Sequence, residues 1–185
     1  MNGRKSSLKI AQIANISERV PPKKYGGIER VISALTEELV ERGHRVTLFA
    51  TNDSQTSAKL ISVYPRSLRE AKIKDPYGLN EPRLLHIATA YRMYDQFDII
   101  HDHNSLLSLP TAQFIKKPVI ITLHTPVTPS NKRLLETVIA PYYVAISQAQ
   151  TAHAPNIQIS DVIYNGLPME HTIPLVATMI ATCYM

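Results

Sequence analysis

Two short runs carry side chains able to do chemistry: His101-Asp102-His103-Asn104 and His124-Thr125, each standing directly after a stretch of branched apolar residues. A histidine in such a place can donate a hydrogen bond to a sugar hydroxyl or accept one from it. If the preceding strand continues through them, His101 and His103 share one face and Asp102 takes the other. With His124 they could also form a zinc site, since imidazole and carboxylate are ordinary ligands. H-E-x-x-H spacing and a second carboxylate cluster are both missing, so no metal is expected. For His124 alone, a structural histidine held in its loop is the competing reading. A third feature is Gly26-Gly27, between a strand-like run and a helical one. Adjacent glycines leave backbone N–H groups uncovered, and the helix that follows adds the positive end of its dipole, which suits a phosphate or a sugar hydroxyl. The plainer alternative is a loop whose glycines only permit the turn.

Elements of alternating type must hold these groups in place. Leu8 to Ala14 reads as a buried first strand, followed by a long polar loop, Asn15 to Tyr25, with Pro21-Pro22. Ile28, Val31, Ile32, Leu35 and Leu39 fall at helical spacing, with Glu29 and Arg30 on the opposite face, and Gly43 terminates that helix after Arg42. Further strands are expected at Arg45 to Ala50, Leu60 to Tyr64, Asp98 to Asp102, Pro118 to Leu123, Tyr142 to Ile146 and Ile159 to Tyr164. The near-continuous apolar run Pro118 to Leu123 predicts a strand covered on both faces. Helical patterns occupy Glu81 to Phe97, Leu106 to Ile115, Ser130 to Val138 with Ser130 as cap, and a stretch from Gln148. Arg66 to Asn80 shows no sustained period and is expected to be irregular.

This alternation predicts an α/β fold, a single Rossmann-like, doubly wound and mainly parallel sheet with helices on both faces. In such sheets ligands bind beyond the carboxyl ends of the strands. The residues there are Asn15 and the Gly26-Gly27 loop, Thr51-Asn52-Asp53, His101 to Asn104, His124-Thr125, Ser147-Gln148 and Asn165-Gly166, every one polar or glycine. A dinucleotide fold is nearly excluded, because a long proline-bearing loop separates the first strand from its glycines. Neither a P-loop nor a G-x-S-x-G elbow is present.

The 185 residues fit one domain, and 19% charged residues argue against disorder. The net charge of +5 is scattered, which argues against nucleic acid as a partner while leaving room for association with an acidic membrane surface. Cys183 is the only cysteine, so there is no disulfide framework and a reducing, cytoplasmic setting is expected. Residues 1–7 lack the apolar run of a secretory signal, and the uncharged stretch Thr172 to Tyr184 is shorter than the roughly 20 residues needed to cross a bilayer.

Tyr25-Gly26-Gly27-Ile28-Glu29-Arg30, Glu41 to Ala50, Ile100-His101-Asp102-His103, Thr122-Leu123-His124-Thr125, Val144-Ala145-Ile146-Ser147 and Val162-Ile163-Tyr164-Asn165-Gly166 together resemble the N-terminal domain of retaining GT-B glycosyltransferases of the glycogen synthase and mannosyltransferase-like group. The resemblance runs over residues 8–169, giving a domain at 1–169 and an apolar tail at 170–185 outside the family pattern. It implies that His124 meets the transferred sugar. Gly26 and Gly27 would lie near the donor diphosphate and the acceptor, with Glu29 an acceptor contact. His103 and Asn104 would line the acceptor side, and Ser147, Asn165 and Gly166 the cleft floor or the crossing to a second domain. The partners implied are a nucleotide-sugar donor and a hydroxyl acceptor, with no cofactor and no metal. In that family the groups holding nucleotide and diphosphate belong to a C-terminal domain whose pattern does not follow here, so the chain alone is expected to be catalytically incompetent. The alternative is a non-catalytic binding or scaffolding module working with a separate chain.

Overall fold

Short runs of branched and apolar residues become strands here because each is bounded by turn-forming residues and flanked by a helix that can carry the chain back. The computed structural model describes residues 7–71, 80–152 and 155–166. In chain order these are β1 (Lys9–Ile13), α1 (Gly27–Glu41), β2 (Arg45–Phe49), β3 (Lys59–Ile61), α2 (Leu68–Ala71), α3 (Asn80–Arg92), β4 (Ile99–Asp102), α4 (Leu109–Ala112), β5 (Val119–Leu123), α5 (Pro129–Thr137), β6 (Tyr142–Ala145), α6 (Gln148–Ala152) and β7 (Ile159–Val162). Single 3-10 turns at Tyr94–Gln96 and Ser105–Leu107 precede β4 and α4. The strands form one sheet in the order β3-β2-β1-β4-β5-β6-β7, with every adjacent pair parallel.

That order fixes where a ligand crevice can open. The chain builds outward from β1 to β3, then returns to place β4 on the other side of β1, so the winding reverses between β1 and β4. Loops leaving neighbouring strands there diverge to opposite faces and leave a gap at the carboxyl ends. Register across the reversal sets Gln12 beside His101 and Ile13 beside Asp102.

One face of the sheet is thoroughly covered. Ala11, Ile13, Ile100, Ile121, Leu123 and Tyr143 pack with Ile87 and Tyr91 of α3, Leu109 of α4 and Leu135 of α5. Alternation along each strand delivers these side chains to one side. On the other face α1 covers the β1, β2 and β3 side of the sheet, with Ile32, Leu48, Ala14, Ala50 and Val20 in one cluster against which Leu60 of β3 packs. Beside α1 an apolar groove of about 790 Å³ remains, floored by Ile10, Gln12, Ile99, His101, Ile120 and Val144.

Two expectations change accordingly. The β5 run is not covered on both faces, since Ile120 lines the open groove and is only half-buried. An apolar run reports low affinity for water, which a strand beside an open groove shares with one enclosed on both sides. The buried stripe of α1 is Glu29, Ile32 and Thr36, while Val31, Leu35 and Leu39 flank the groove. Because α1 sits over β1 and β2, its apolar stripe is turned partly toward the uncovered strands, and Glu29, expected on the polar face, is 6% exposed. Smaller corrections follow the same local chemistry. Part of the stretch expected to be irregular forms α2, with 72–79 outside the described residues. β3 is three residues long and β7 stops at Val162. Thr128, not Ser130, stands at the cap of α5, its N–H donating to Asn131 Oδ1 at 2.8 Å. The boundary expected at 169–170 also falls outside the described residues.

Candidate functional site

At the winding reversal the chain spends its polar side chains on holding β1 and β4 together. Asp102 is wholly buried on the α3 side, where Tyr91 Oη donates to its Oδ2 at 2.7 Å and the Asn104 N–H to its Oδ1 at 2.7 Å. Asn104 Nδ2 reaches Asp102 Oδ1 at 3.0 Å and the carbonyls of Ile13 and Ala14 at 3.3 Å each. From α3, His86 Nε2 donates to the Ala14 carbonyl at 2.9 Å. Burial raises the Asp102 pKa against the hydrogen bonds that lower it, and burial together with the Asp102 charge raises that of Tyr91. Asn104, expected to line the acceptor side, is buried with its amide turned inward onto these carbonyls.

On the opposite face stand the three imidazoles. His103 Nδ1 lies 2.9 Å from His124 Nε2, and His103 Nε2 lies 2.9 Å from Gln12 Oε1. Gln12 Nε2 is 3.4 Å from His101 Nδ1, and His101 Nε2 is 2.8 Å from Thr122 Oγ1. The His101 and His103 rings are 4.2 Å apart between centroids, and those of His103 and His124 are stacked at 5.2 Å. Burial pushes His124 down to about 4, and burial with the neighbouring His124 pushes His101 to about 4. His103 lies well below its ordinary value, from burial first and then from both neighbours. All three are therefore neutral at pH 7 and act as hydrogen-bonding groups, not as cations. His124 Nδ1 is buried and is the one ring nitrogen of this set without a hydrogen-bond partner.

The glycine pair divides its work. Gly26 is buried at φ 143° before α1, and a Cβ there would stand 2.7 Å from Pro22 Cβ and 2.8 Å from Glu29 Oε2. A Cβ on the exposed Gly27 would meet nothing within 4 Å. Gly26 thus answers to packing and backbone, and Gly27 leaves the first turn of α1 open to approach. Replacing Gly26 by alanine is expected to cost about 2–4 kcal/mol, whereas Gly27→Ala stays within about 1 kcal/mol, compared by thermal unfolding. Glu29 sits beside Gly26 in that turn, its pKa raised by burial and by Glu18 against its own backbone N–H and Arg69.

The reversal thus gathers Gln12, His101, His103, His124 and Thr122 into one connected cluster, with Gly26, Gly27 and Glu29 beyond the end of β1. Asn165 and Gly166 line the groove together with His101 and His103, whereas Gly27, His124 and Ser147 do not. Ser147 follows β6, half-buried, two strands from the reversal. Among the described residues no group of three or more His, Cys, Asp or Glu side chains is placed to hold a metal ion.

Compared with known families, residues 25–171 match the model of Glycosyltransferase Family 4. The chain belongs to that family. No curated protein sequence matches it. Among solved structures, a glycosyltransferase from Rickettsia africae ESF-5 superposes with a TM-score of 0.50 at 16% identity, over 94% of this chain and 49% of that one. The catalytic domain of starch synthase IV from Arabidopsis thaliana, bound to ADP and acarbose, is similar at 17% identity with a TM-score of 0.46, over 65% of this chain and 34% of that one. The family 4 chain therefore spans about half the length of the first of these structures and about a third of the second. The Rickettsia likeness supports the Rossmann-like half of a GT-B fold.

Sequence reasoning missed Gln12, Thr122, Tyr91 and His86 in this family 4 domain. Gln12 had a signal, as the only polar side chain between Ile10 and Ala14 in an apolar strand, and it is wholly buried. Tyr91 and His86 sit in α3, and nothing local marks them as partners of β1 and β4.

Proposed function

We propose that this chain is the N-terminal, acceptor-side domain of a nucleotide-sugar-dependent retaining glycosyltransferase, which moves a hexosyl group from an activated donor to a hydroxyl acceptor. The observation that carries the reading is the unpartnered, buried Nδ1 of His124 at the carboxyl rim of a sheet whose winding reverses one strand away. His124 is the residue that meets the transferred sugar. A neutral imidazole cannot neutralise a leaving diphosphate, so His124 positions a hydroxyl and the charge must be met elsewhere. The open N-terminus of α1 at Gly27 supplies part of that stabilisation through its N–H groups. Glu29, His103, Ser147, Asn165 and Gly166 shape the acceptor side and the crossing toward the remainder of such an enzyme. Most of the positive charge for the diphosphate comes from a second domain, and no cofactor or metal is needed.

The 185-residue chain alone is accordingly expected to transfer little or no sugar. Incubation with a panel of nucleotide sugars and generic hydroxyl acceptors, read as nucleotide released, tests this. Sustained release from the purified chain would show that a second domain is dispensable.

The groove beside α1 favours a second reading, a binding module that works with a separate chain supplying the other wall. Light scattering and co-purification decide between them, since a stable complex with another polypeptide supports the module. Among the described residues no helix is long and apolar enough to cross a membrane. The cytoplasm, with association at an acidic membrane surface through scattered lysines and arginines, is the setting this reading takes.

A further inference from the structure

The Gln12 side chain lies between two imidazoles with its oxygen toward one and its nitrogen toward the other, and this fixes protons well beyond its own contacts. An amide oxygen only accepts, so His103, 2.9 Å away, carries its proton on Nε2. A neutral His103 then presents a lone pair at Nδ1, and the facing His124 Nε2 at 2.9 Å must bring the proton. That leaves His124 Nδ1 bare, an acceptor with no partner. On the other side the amide nitrogen only donates, so His101 Nδ1 is bare and its Nε2–H points at Thr122 Oγ1, 2.8 Å away. Donation runs in one direction, His124 to His103 to Gln12 to His101 to Thr122. Turning the amide over would invert every ring proton at once and make His124 Nδ1 a donor.

We infer that Gln12 is a positioning residue which holds His124 as a hydrogen-bond acceptor, so that the ligand group docking there must bring its own proton: a hydroxyl, not an ether, a carbonyl or a fluorine. This deepens the reading of His124 as the sugar contact and rests on it for the ligand alone. The proton arrangement follows from which end of the Gln12 amide faces His103, the assignment that the tautomers test. Gln12 itself has no exposed surface and touches no ligand.

Long-range proton–nitrogen correlation spectra of the histidine-labelled 185-residue chain at neutral pH read each tautomer directly. The native chain is expected to show the Nε2–H form at His101, His103 and His124, and an Nδ1–H form at His124 would overturn the proposal without any variant. Gln12→Glu discriminates further, because a carboxylate accepts from both sides. His101 should invert to Nδ1–H while His103 and His124 keep Nε2–H. In Gln12→Leu, His103 and His124 should lose their single tautomer, and unchanged spectra in that variant would show the amide to be passive. Binding of methyl glycosides and their monodeoxyfluoro analogues supplies the ligand arm. Fluorine at the position facing His124 should weaken binding about tenfold, as loss of one hydrogen bond implies. If the tautomers are as expected and no glycoside binds, the sugar reading fails and the role of Gln12 in setting the protons remains.

Discussion

Asp102→Ala is expected to cost about 3–5 kcal/mol, enough to bring a domain of ordinary stability close to unfolding. The substitution strands the buried Asn104 N–H and takes from the buried Tyr91 hydroxyl its Asp102 partner, leaving it Ser108. The orphaned N–H and the weakened hydroxyl each cost about 1–3 kcal/mol, and a small cavity adds to that. Tyr91→Phe removes a single partner and should cost about 1–2 kcal/mol. Asp102→Asn retains an acceptor for the Asn104 N–H and should fall between the two. Urea midpoints of the three variants check the ranking. If Asp102→Ala proves no worse than Tyr91→Phe, the carboxyl is not what joins α3 to the β1–β4 reversal.

Acid should weaken this fold with a slope set by buried neutral imidazoles. His86, His101 and His124 are lowered to about 4 and His103 is held well below its ordinary value, burial being the first cause in each. Unfolded, they titrate near 6.5, so between pH 6.5 and 4 the unfolded chain binds more protons and stability falls as pH falls. Glu29 and Asp102 oppose this, because their folded values are raised and the native state holds their protons more tightly above their unfolded range. Glu37 and Glu70, whose folded values are lowered, act on the same side as the imidazoles, so the balance is a stability that falls as pH falls through the window. Denaturant unfolding at stepped pH values measures it. His86→Gln can still donate to the Ala14 carbonyl and should lower the slope by about one proton. A slope unchanged by that substitution would mean that His86 is already charged in the fold.

Much of the architecture could be read from local pattern. The strands begin and end within a few residues of where β-branched runs and turn residues place them, and the carboxyl-rim positions follow from strand polarity once the sheet is parallel. The likeness in Tyr25-Gly26-Gly27-Ile28-Glu29-Arg30 and Thr122-Leu123-His124-Thr125 pointed to the family that residues 25–171 match. What escaped was non-local. The pairing of Gln12 with His101 depends on β4 returning to the inside edge of β1, across a sequence separation that no short period encodes. Asn104 was expected to line the acceptor side because it follows a strand, yet its amide turns inward and adds to the hydrogen bonds that the Ile13 and Ala14 carbonyls already accept from the His103 N–H and His86. The buried face of α1 was misjudged because hydrophobic spacing gives the width of an apolar stripe and not which strands lie beneath it.

The central claim is that His124 and the glycine turn serve one sugar-handling site. Titrating the isotope-labelled chain with a nucleotide-diphosphate hexose, while following the His124 ring nitrogens and the Gly26 and Gly27 amides, tests it most directly. Saturable shifts at all three with one common binding constant are the predicted result. Saturable binding that leaves His124 Nδ1 and the Gly27 amide unmoved would contradict it.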